Sequence, residues 1–136
     1  SVPLRATYSF QRSRFMNSFT AGDPQYRNVE EGDEVPYLPR HSASLAAGIE
    51  HERFRLNATA TFVARMREQA GSGDEGFFTD RQAIVDAMGD VRVHDRVRLT
   101  LRVENIADSR PLVAHRPFGA RPYRPRMAMA GVHIDL

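Results

Sequence analysis

Arginine is the residue type in this chain that could do the most chemistry. All nineteen basic residues are arginine and none is lysine, although the net charge is only +2. A guanidinium group binds carboxylates through two parallel hydrogen bonds, so arginines are natural ligands for anions. The candidates near the ends of strands and in long connections are Arg65, Arg67, Arg116, Arg121 and Arg124. The alternative is that each of them pairs with a nearby acid or with solvent, as exposed charges usually do.

Other patterns that could support chemistry are incomplete. His51-Glu52 begins like the zinc motif H-E-x-x-H, but position 55 is arginine. The glycine-rich stretch 71–76 lacks the following Lys-Ser/Thr of a phosphate loop, and no G-x-S-x-G is present. The Arg/Pro/aromatic tract 110–126 could stack on nucleic acid, but no matching basic stripe occurs elsewhere. We therefore predict no catalytic site, no metal or cofactor, and no nucleic-acid partner.

The elements that would position these arginines are β-strands. Residues 97–105 alternate without a break, so Val97, Leu99, Leu101 and Val103 share one face of a strand. The length of this run, nine residues, suits a tilted membrane-spanning strand of roughly 9–11 residues. Six such strands are predicted, at about 4–14, 42–50, 54–65, 82–93, 97–105 and 127–136. The apolar faces comprise even-numbered residues in the first, third and sixth strands and odd-numbered residues in the others.

The connections between these strands alternate in length. Residues 51–52 and 93–95 form short turns, whereas 15–41, 66–81 and 106–126 form long loops. Short turns at one end and long loops at the other are typical of a membrane β-barrel, which predicts an all-β, antiparallel, up-and-down section of such a barrel. The alternative is a soluble antiparallel β-sandwich that acts as a binding module without catalysis, since the apolar face would suit a sheet's core equally well.

The charges also predict how neighbouring strands align. A three-residue turn at 93–95 places Asp90 opposite Arg98 and Asp86 opposite Arg102, which opposite charges favour. A two-residue turn at 51–52 places Glu50 opposite Arg53. That second alignment is the weaker one, because His-Glu is a poor sequence for a type I′ turn.

The chain resembles the C-terminal end of TonB-dependent outer-membrane receptors, closest to the ferric-citrate type. The resemblance covers nearly the whole chain, in order and at sensible spacing. The matching pieces are residues 32–41 (GDEVPYLPRH), 85–87 (VDA), 94–97 (HDRV) with Leu99, 103–108 (VENIAD) and 119–126 (GARPYRPR). The chain departs from the family pattern at 106–107, at Tyr123 and at Leu136.

The resemblance implies a fold, a location and a function. The family barrel has about 22 strands around an N-terminal plug, so residues 1–136 would form a single C-terminal segment, about a quarter of the barrel. Membrane lipid would surround it in the outer membrane of a Gram-negative bacterium, and TonB would act through the missing N-terminal part. The ligand would be an anionic iron chelate, ferric citrate or another siderophore, which the five arginines could contact at the outward-facing loops.

The first residues give one more expectation. The chain begins Ser1-Val2-Pro3, with no initiator methionine and no charged or apolar leader region. We therefore expect a mature product or a fragment of a longer chain.

Overall fold

The protein is all-β in the computed structural model, which describes residues 1–116 and 118–135. The strands are β1 (Leu4–Phe10), β2 (Phe19–Thr20), β3 (Asn28–Val29), β4 (His41–Glu50), β5 (Phe54–Val63), β6 (Gln82–His94), β7 (Val97–Glu104), β8 (Leu112–Ala114), β9 (Arg121–Pro122) and β10 (Met127–Ile134). Across these described residues, no helix has the length and apolar character needed to cross a membrane.

Six long strands form one antiparallel sheet in the order β1-β4-β5-β6-β7-β10. This order confirms the predicted meander of six strands. Two strands end earlier than predicted, because the ladder gives way to loop contacts after Phe10 and after Val63. There the backbone N–H of Gln11 bonds to the carbonyl of Arg40, and that of Ala64 to the carbonyl of His41. The predicted final residue of the last strand, Leu136, lies outside the described residues.

The predicted apolar faces join into one continuous apolar face. Leu45 pairs with Ala60, which in turn pairs with Val85. Further along the sheet, Gly89 pairs with Leu101 and Leu101 with Ala130. Residues that pair across neighbouring strands point to the same side of a sheet. The predicted apolar residues of these strands therefore all lie on one side of the sheet.

No second layer of the described chain covers the apolar face. Phe62, Leu99, Leu101 and Val132 expose 39%, 40%, 55% and 65% of their surface. A β-sandwich would have buried them between two sheets. Apart from Pro36, Gly48 and Pro111, the buried apolar residues of the described part are Val29, Ile84 and Ala114. The structure therefore does not favour the sandwich alternative.

Aromatic rings lie at both ends of the apolar face. At the long-loop end His41 lies against Tyr8 and Phe10, with ring centroids 6.2 and 5.2 Å apart. At the turn end, His51 stacks on Phe54 at 5.2 Å. The nine residues from Phe54 to Phe62 span about 27 Å along β5. At a strand tilt of about 40° this is about 20 Å in height, close to the apolar band of a membrane barrel.

Both predicted hairpin alignments are wrong. In each, the observed partner lies two residues further along the second strand than predicted. In the β4–β5 hairpin, Glu50 pairs with Arg55 rather than Arg53. The turn consists of Glu52 and Arg53, and the N–H of His51 donates to the carbonyl of Phe54 at 2.9 Å. Moving the turn by one residue leaves two charged side chains at the tip and brings His51 onto the Phe54 ring.

In the β6–β7 hairpin, Arg92 rather than Asp90 lies opposite Arg98, although like charges in that position repel each other. The alignment shifts between Arg92 and His94, so a β-bulge at Val93 absorbs the extra residue. Asp90 compensates for the like charges. Its carboxylate lies 3.1 Å from the guanidinium of Arg55 and 3.8 Å from that of Arg98. Arg55 lies directly opposite Asp90 on β5, whereas Arg98 reaches Asp90 along a diagonal rather than from the opposite position that we expected.

The long loops contain two further pairs of short strands that the sequence did not predict. β2 pairs with β3, and β8 pairs with β9. Isolated bridges join Arg14 to Glu34, Glu34 to Gly71, and Arg67 to Phe78. Strands of two or three residues are too short to show an alternating pattern.

Candidate ligand-binding site

Three long loops meet at one end of the sheet. The first covers residues 11–40, the second 64–81 and the third 105–126. Backbone hydrogen bonds of 2.8–3.0 Å link them, from Glu34 N to Gly71 O, Tyr37 N to Arg67 O, Ala70 N to Gln25 O and Asp80 N to Leu112 O. The loops therefore form one packed unit rather than three independent segments.

A buried carboxylate connects all three loops. Glu68, in the second loop, is fully buried. Its Oε1 lies 2.6 Å from Nδ1 of His115, and its Oε2 accepts the His115 backbone N–H at 2.8 Å. The hydroxyl of Tyr37, in the first loop, also donates to Oε2 at 3.3 Å. A buried charge needs such partners, because an unpaired one would cost several kcal/mol.

These contacts change the acidity of two loop groups. Burial by itself would raise the pKa of Glu68. The hydrogen bonds from the His115 ring and backbone outweigh that effect and lower the pKa below its usual value. The pKa of Tyr37 is raised by burial and by the nearby Glu68 charge, while Arg121 and Arg116 act in the opposite direction. Both arginines are therefore electrostatically coupled to this cluster.

Beside the cluster lies a cavity of about 670 Å³. Its walls are Asp23, Pro24, Gln25, Tyr37, Phe77, His115, Arg116 and Arg121. The third loop thus brings two of the five predicted arginines to one cavity, and Tyr37 and His115 connect that cavity to Glu68. In the described part of the chain, neither Arg116 nor Arg121 forms an ion pair with a carboxylate.

A second cavity, of about 370 Å³, holds Arg65 and Arg67. It shares no lining residue with the first cavity. Arg67 and Phe78 form a β-bridge, and both line the second cavity. Their chain neighbours face the first cavity: Phe77 lines it, and Glu68 bonds to residues of its wall. Because successive side chains of extended backbone point to opposite sides, the two cavities lie on opposite sides of the loop unit.

Arg65 and Arg67 are already in contact with other groups of the chain. Arg65 lies 3.0 Å from the carboxylate of Asp74. Arg67 is only 6% exposed, and its guanidinium donates to the carbonyls of Gly73 and Glu75. Both guanidinium groups stack on the Phe78 ring, at 4.7 and 4.8 Å from its centroid. The sequence did not predict these contacts, because they depend on how the second loop folds back.

The fifth predicted arginine, Arg124, lies apart from both cavities. Its guanidinium is 2.8 Å from the buried carboxylate of Glu104, which also pairs with Arg102 at 2.8 Å. It lies over the ring of Tyr123 at 5.6 Å. Arg124 thus joins the third loop to the end of β7.

The third loop begins at a buried asparagine. Asn105 is 0% exposed and has a φ of 50°, a conformation that asparagine tolerates better than most residues. Its side-chain amide donates to the carbonyls of Ser109 and Arg124, both at 2.8 Å, and accepts the N–H of Ser109 at 3.0 Å. Its own N–H donates to Asp86 at 2.8 Å. The side chain of Asn105 therefore joins the two ends of the loop, and its backbone N–H joins them to the sheet.

Asp108 also combines a left-handed backbone with a side-chain hydrogen bond to the far end of the third loop. Asp108 has a φ of 49°, and its carboxylate accepts the backbone N–H of Arg126 at 2.8 Å. That bond and the Arg110 guanidinium lower the pKa of Asp108. The motif VENIAD is thereby explained, since its Asn and Asp supply both the left-handed backbone and the hydrogen bonds that close the loop.

Sequence reasoning missed the buried residues that organise this site. Glu68, Tyr37 and His115 are far apart in the chain and form no spaced motif. Asn105 ends the predicted strand 97–105 and belongs to the family pattern, but neither signal reveals its buried hydrogen bonds. Among the residues that the structure describes, no three His, Cys, Asp or Glu side chains are grouped so that they could hold a metal ion.

Comparison with known proteins gives a family match. The family model described as "TonB dependent receptor-like, beta-barrel" matches residues 2–106. No curated protein matches the chain by sequence.

Solved structures with a similar fold are receptors of the same architecture. The ferric-catecholate import receptor Fiu from E. coli K12, in its closed form, is 20% identical, with a TM-score of 0.72 over 97% of this chain and 18% of that one. The siderophore receptor PiuA from Acinetobacter baumannii is 18% identical, with a TM-score of 0.74 over 97% of this chain and 19% of that one. The chain thus spans about a fifth of either receptor, and at these identities the similarity shows the fold.

Proposed function

We propose a function from one premise: this chain belongs to the TonB-dependent receptor family, within its β-barrel. Residues 1–136 form a single C-terminal segment of the barrel of an outer-membrane receptor in a Gram-negative bacterium. The plug domain and the remaining strands come from parts of the protein outside these residues. The segment contributes wall, channel lining and three outward-facing loops.

The exposed apolar face is the observation that carries this proposal. Its side chains would be costly in water, at about 25 cal/mol per Å². Lipid chains would cover them, and the aromatic rings at both ends of the face suit the two interfaces of a bilayer. The polar face, with Arg55, Asp90 and Arg98, then lines a watery interior. Both outer strands of the sheet, β1 and β10, are open to pair with further barrel strands.

The first cavity supports capture of an anionic iron chelate. Arg116 and Arg121 present two guanidinium groups to the same space, with Tyr37 and His115 beside them and Asp23 as the acidic residue of its wall. Ferric citrate offers carboxylates that suit the arginine fork. Other siderophore complexes with negative charge suit the same pair. We assign chelate capture to Arg116 and Arg121. We assign no part in chelate capture to Arg65, Arg67 and Arg124, because each already contacts other groups of the chain.

Transport rather than catalysis is the role proposed for the whole receptor. The family is one of transport receptors, and TonB would supply the energy through the N-terminal part. The soluble β-sandwich is not favoured, because the apolar face lacks a second sheet in the described part of the chain.

A double substitution tests the chelate site. In the receptor that carries this segment, Arg116→Gln with Arg121→Gln is expected to weaken binding of radiolabelled ferric citrate by about 100-fold to 1,000-fold. Losing one charge-assisted contact costs about 1.5–2 kcal/mol, the variant loses two, and 1.4 kcal/mol is tenfold in affinity. Filter binding on purified receptor and uptake by cells measure the change.

The matched control replaces two arginines at the opposite end of the sheet, Arg53→Gln with Arg96→Gln. It removes the same charge and should leave binding unchanged. A ferric catecholate complex is the second probe, in case ferric citrate does not bind the unaltered receptor. Equal binding by the Arg116/Arg121 variant and the control, or binding of neither chelate by the unaltered receptor, would contradict the proposal.

A further inference from the structure

The second cavity lies where the apolar face meets the loop unit. His41 and Phe62 line it, and both belong to the apolar face of the sheet, in β4 and β5. Its other walls come from the ends of the first and second loops. The cavity therefore opens on the outer side of the sheet, away from the proposed chelate site.

Four guanidinium groups surround this cavity, from Arg40, Arg65, Arg67 and Arg81. Two carboxylates, Glu34 and Asp74, lie among them, so the lining carries an excess of two positive charges. Such an excess at the edge of an apolar surface favours an anion there.

The arginines are held in place, and some of their binding capacity remains available. Arg65 and Arg67 both lie against the Phe78 ring. The Asp74 partner of Arg65 is 93% exposed, so that ion pair contributes little and exchanges at small cost. Arg81 is exposed, and within residues 1–116 and 118–135 it makes no ion pair. A bound anion could thus meet Arg65 and Arg81 without breaking a buried contact.

An apolar groove continues from the basic cavity down the sheet. It has a volume of about 350 Å³, and its lining includes Ala43, Leu45, Ala60 and Val85. Phe62 lines both the groove and the basic cavity. One molecule could therefore place an anionic group among the arginines and a hydrocarbon chain against the sheet.

We infer that the second cavity and this groove bind a phosphate-bearing membrane lipid, with its phosphate between Arg65 and Arg81 and an acyl chain beside Phe62. Guanidinium groups bind phosphate as well as carboxylate, and the groove supplies the apolar contact that a free anion would not use. The inference rests on the proposed membrane position of the apolar face. It does not depend on the chelate site.

The test uses the whole receptor in detergent with three additives. These are a phosphatidic acid, a phosphatidylcholine with the same acyl chains, and inorganic phosphate. Phosphatidic acid is expected to remain bound in native mass spectrometry and to raise the thermal midpoint more than phosphatidylcholine does. Arg65→Gln with Arg81→Gln should weaken its apparent affinity about tenfold. Arg81→Gln alone should act in the same direction, and it is expected to fold normally because that side chain makes no ion pair with the residues that the structure describes.

The same controls separate this inference from the proposed function. The Arg53→Gln/Arg96→Gln receptor should keep the phosphatidic-acid effect, and the Arg81→Gln receptor should still bind the chelate. Equal stabilisation by both lipids, equal stabilisation by inorganic phosphate, or an undiminished effect in the Arg65/Arg81 variant would each overturn the inference. Failure of chelate binding alone would count against the proposed function and leave the lipid site standing.

Discussion

Replacing Asn105 by alanine is expected to destabilise the folded receptor by about 3 kcal/mol. The change removes three buried side-chain hydrogen bonds and leaves the N–H and carbonyl of Ser109 and the carbonyl of Arg124 without partners. Alanine also adopts the left-handed backbone at position 105 less readily, at a cost of about 1 kcal/mol. The midpoint of heat-induced unfolding, followed on unboiled gels of the detergent-solubilised receptor, measures the loss.

Two other substitutions separate the causes. Asn105→Gly keeps the backbone conformation and loses only the side-chain bonds, so it should be somewhat less damaging than alanine. Asn57→Ala is the matched control, because Asn57 is exposed in the middle of β5; its effect should stay within about 0.5 kcal/mol. If Asn105→Ala is no more harmful than Asn57→Ala, the role of Asn105 in closing the third loop is wrong.

Replacing Glu68 by alanine is expected to loosen the loop unit by about 3 kcal/mol without unfolding the sheet. The Tyr37 hydroxyl and both His115 donors would lose their buried acceptor. The backbone amides of Tyr37 and Ala70, which link separate loops, should then exchange with deuterium about 100-fold faster. Exchange in the middle of β7 should not change.

Acid should loosen the same contacts. The pKa of Glu68 is lower in the folded protein than in the unfolded chain, so its ionised form contributes stability at pH values above the unfolded pKa of about 4.3. That contribution is lost as pH falls below this value toward the folded pKa. Amide exchange at Tyr37 and Ala70, corrected for its intrinsic pH dependence, should rise between pH 5 and 3. Glu68→Gln should abolish that rise.

The control is Glu31→Ala, which removes an exposed carboxylate from the first loop. It should change neither exchange rate nor acid response. Protection at Tyr37 and Ala70 that survives Glu68→Ala would show that backbone contacts alone hold the three loops together.

Alternation of side chains was enough to predict the sheet. In residues 97–105, apolar and polar positions repeat with the period of a strand, and the structure places them on opposite faces as expected. The contrast between short turns and long loops predicted the order of the strands. These features depend only on local spacing, which the sequence shows directly.

Strand alignment was harder to predict. Charge pairing favoured Asp90 opposite Arg98, yet the bulge at Val93 moved Arg92 there. Each such pair is worth only about 0.2–1 kcal/mol, so turn geometry and a single inserted residue override it. The sequence contains no equally local signal for a bulge.

The site was predicted only at the level of residue type. The five arginines lie in the second and third loops, and their part in ligand binding stays a prediction. The separation of four of them into two cavities depends on where the chain reverses around Arg67 and Phe78. Glu68 and His115 lie 47 residues apart. Contacts of that kind arise from the packing of whole loops, and no spacing rule reveals them.

The most direct test of the account is the environment of alternate residues along β7. The chain has no cysteine, so single Leu99→Cys, Thr100→Cys and Leu101→Cys substitutions can each carry a spin label in the receptor reconstituted in lipid vesicles. We predict that labels at 99 and 101 are accessible to oxygen dissolved in lipid, whereas the label at 100 is accessible to a water-soluble nickel complex. Equal accessibility at all three positions, or the reverse alternation, would contradict the claim that this apolar face lies in the membrane.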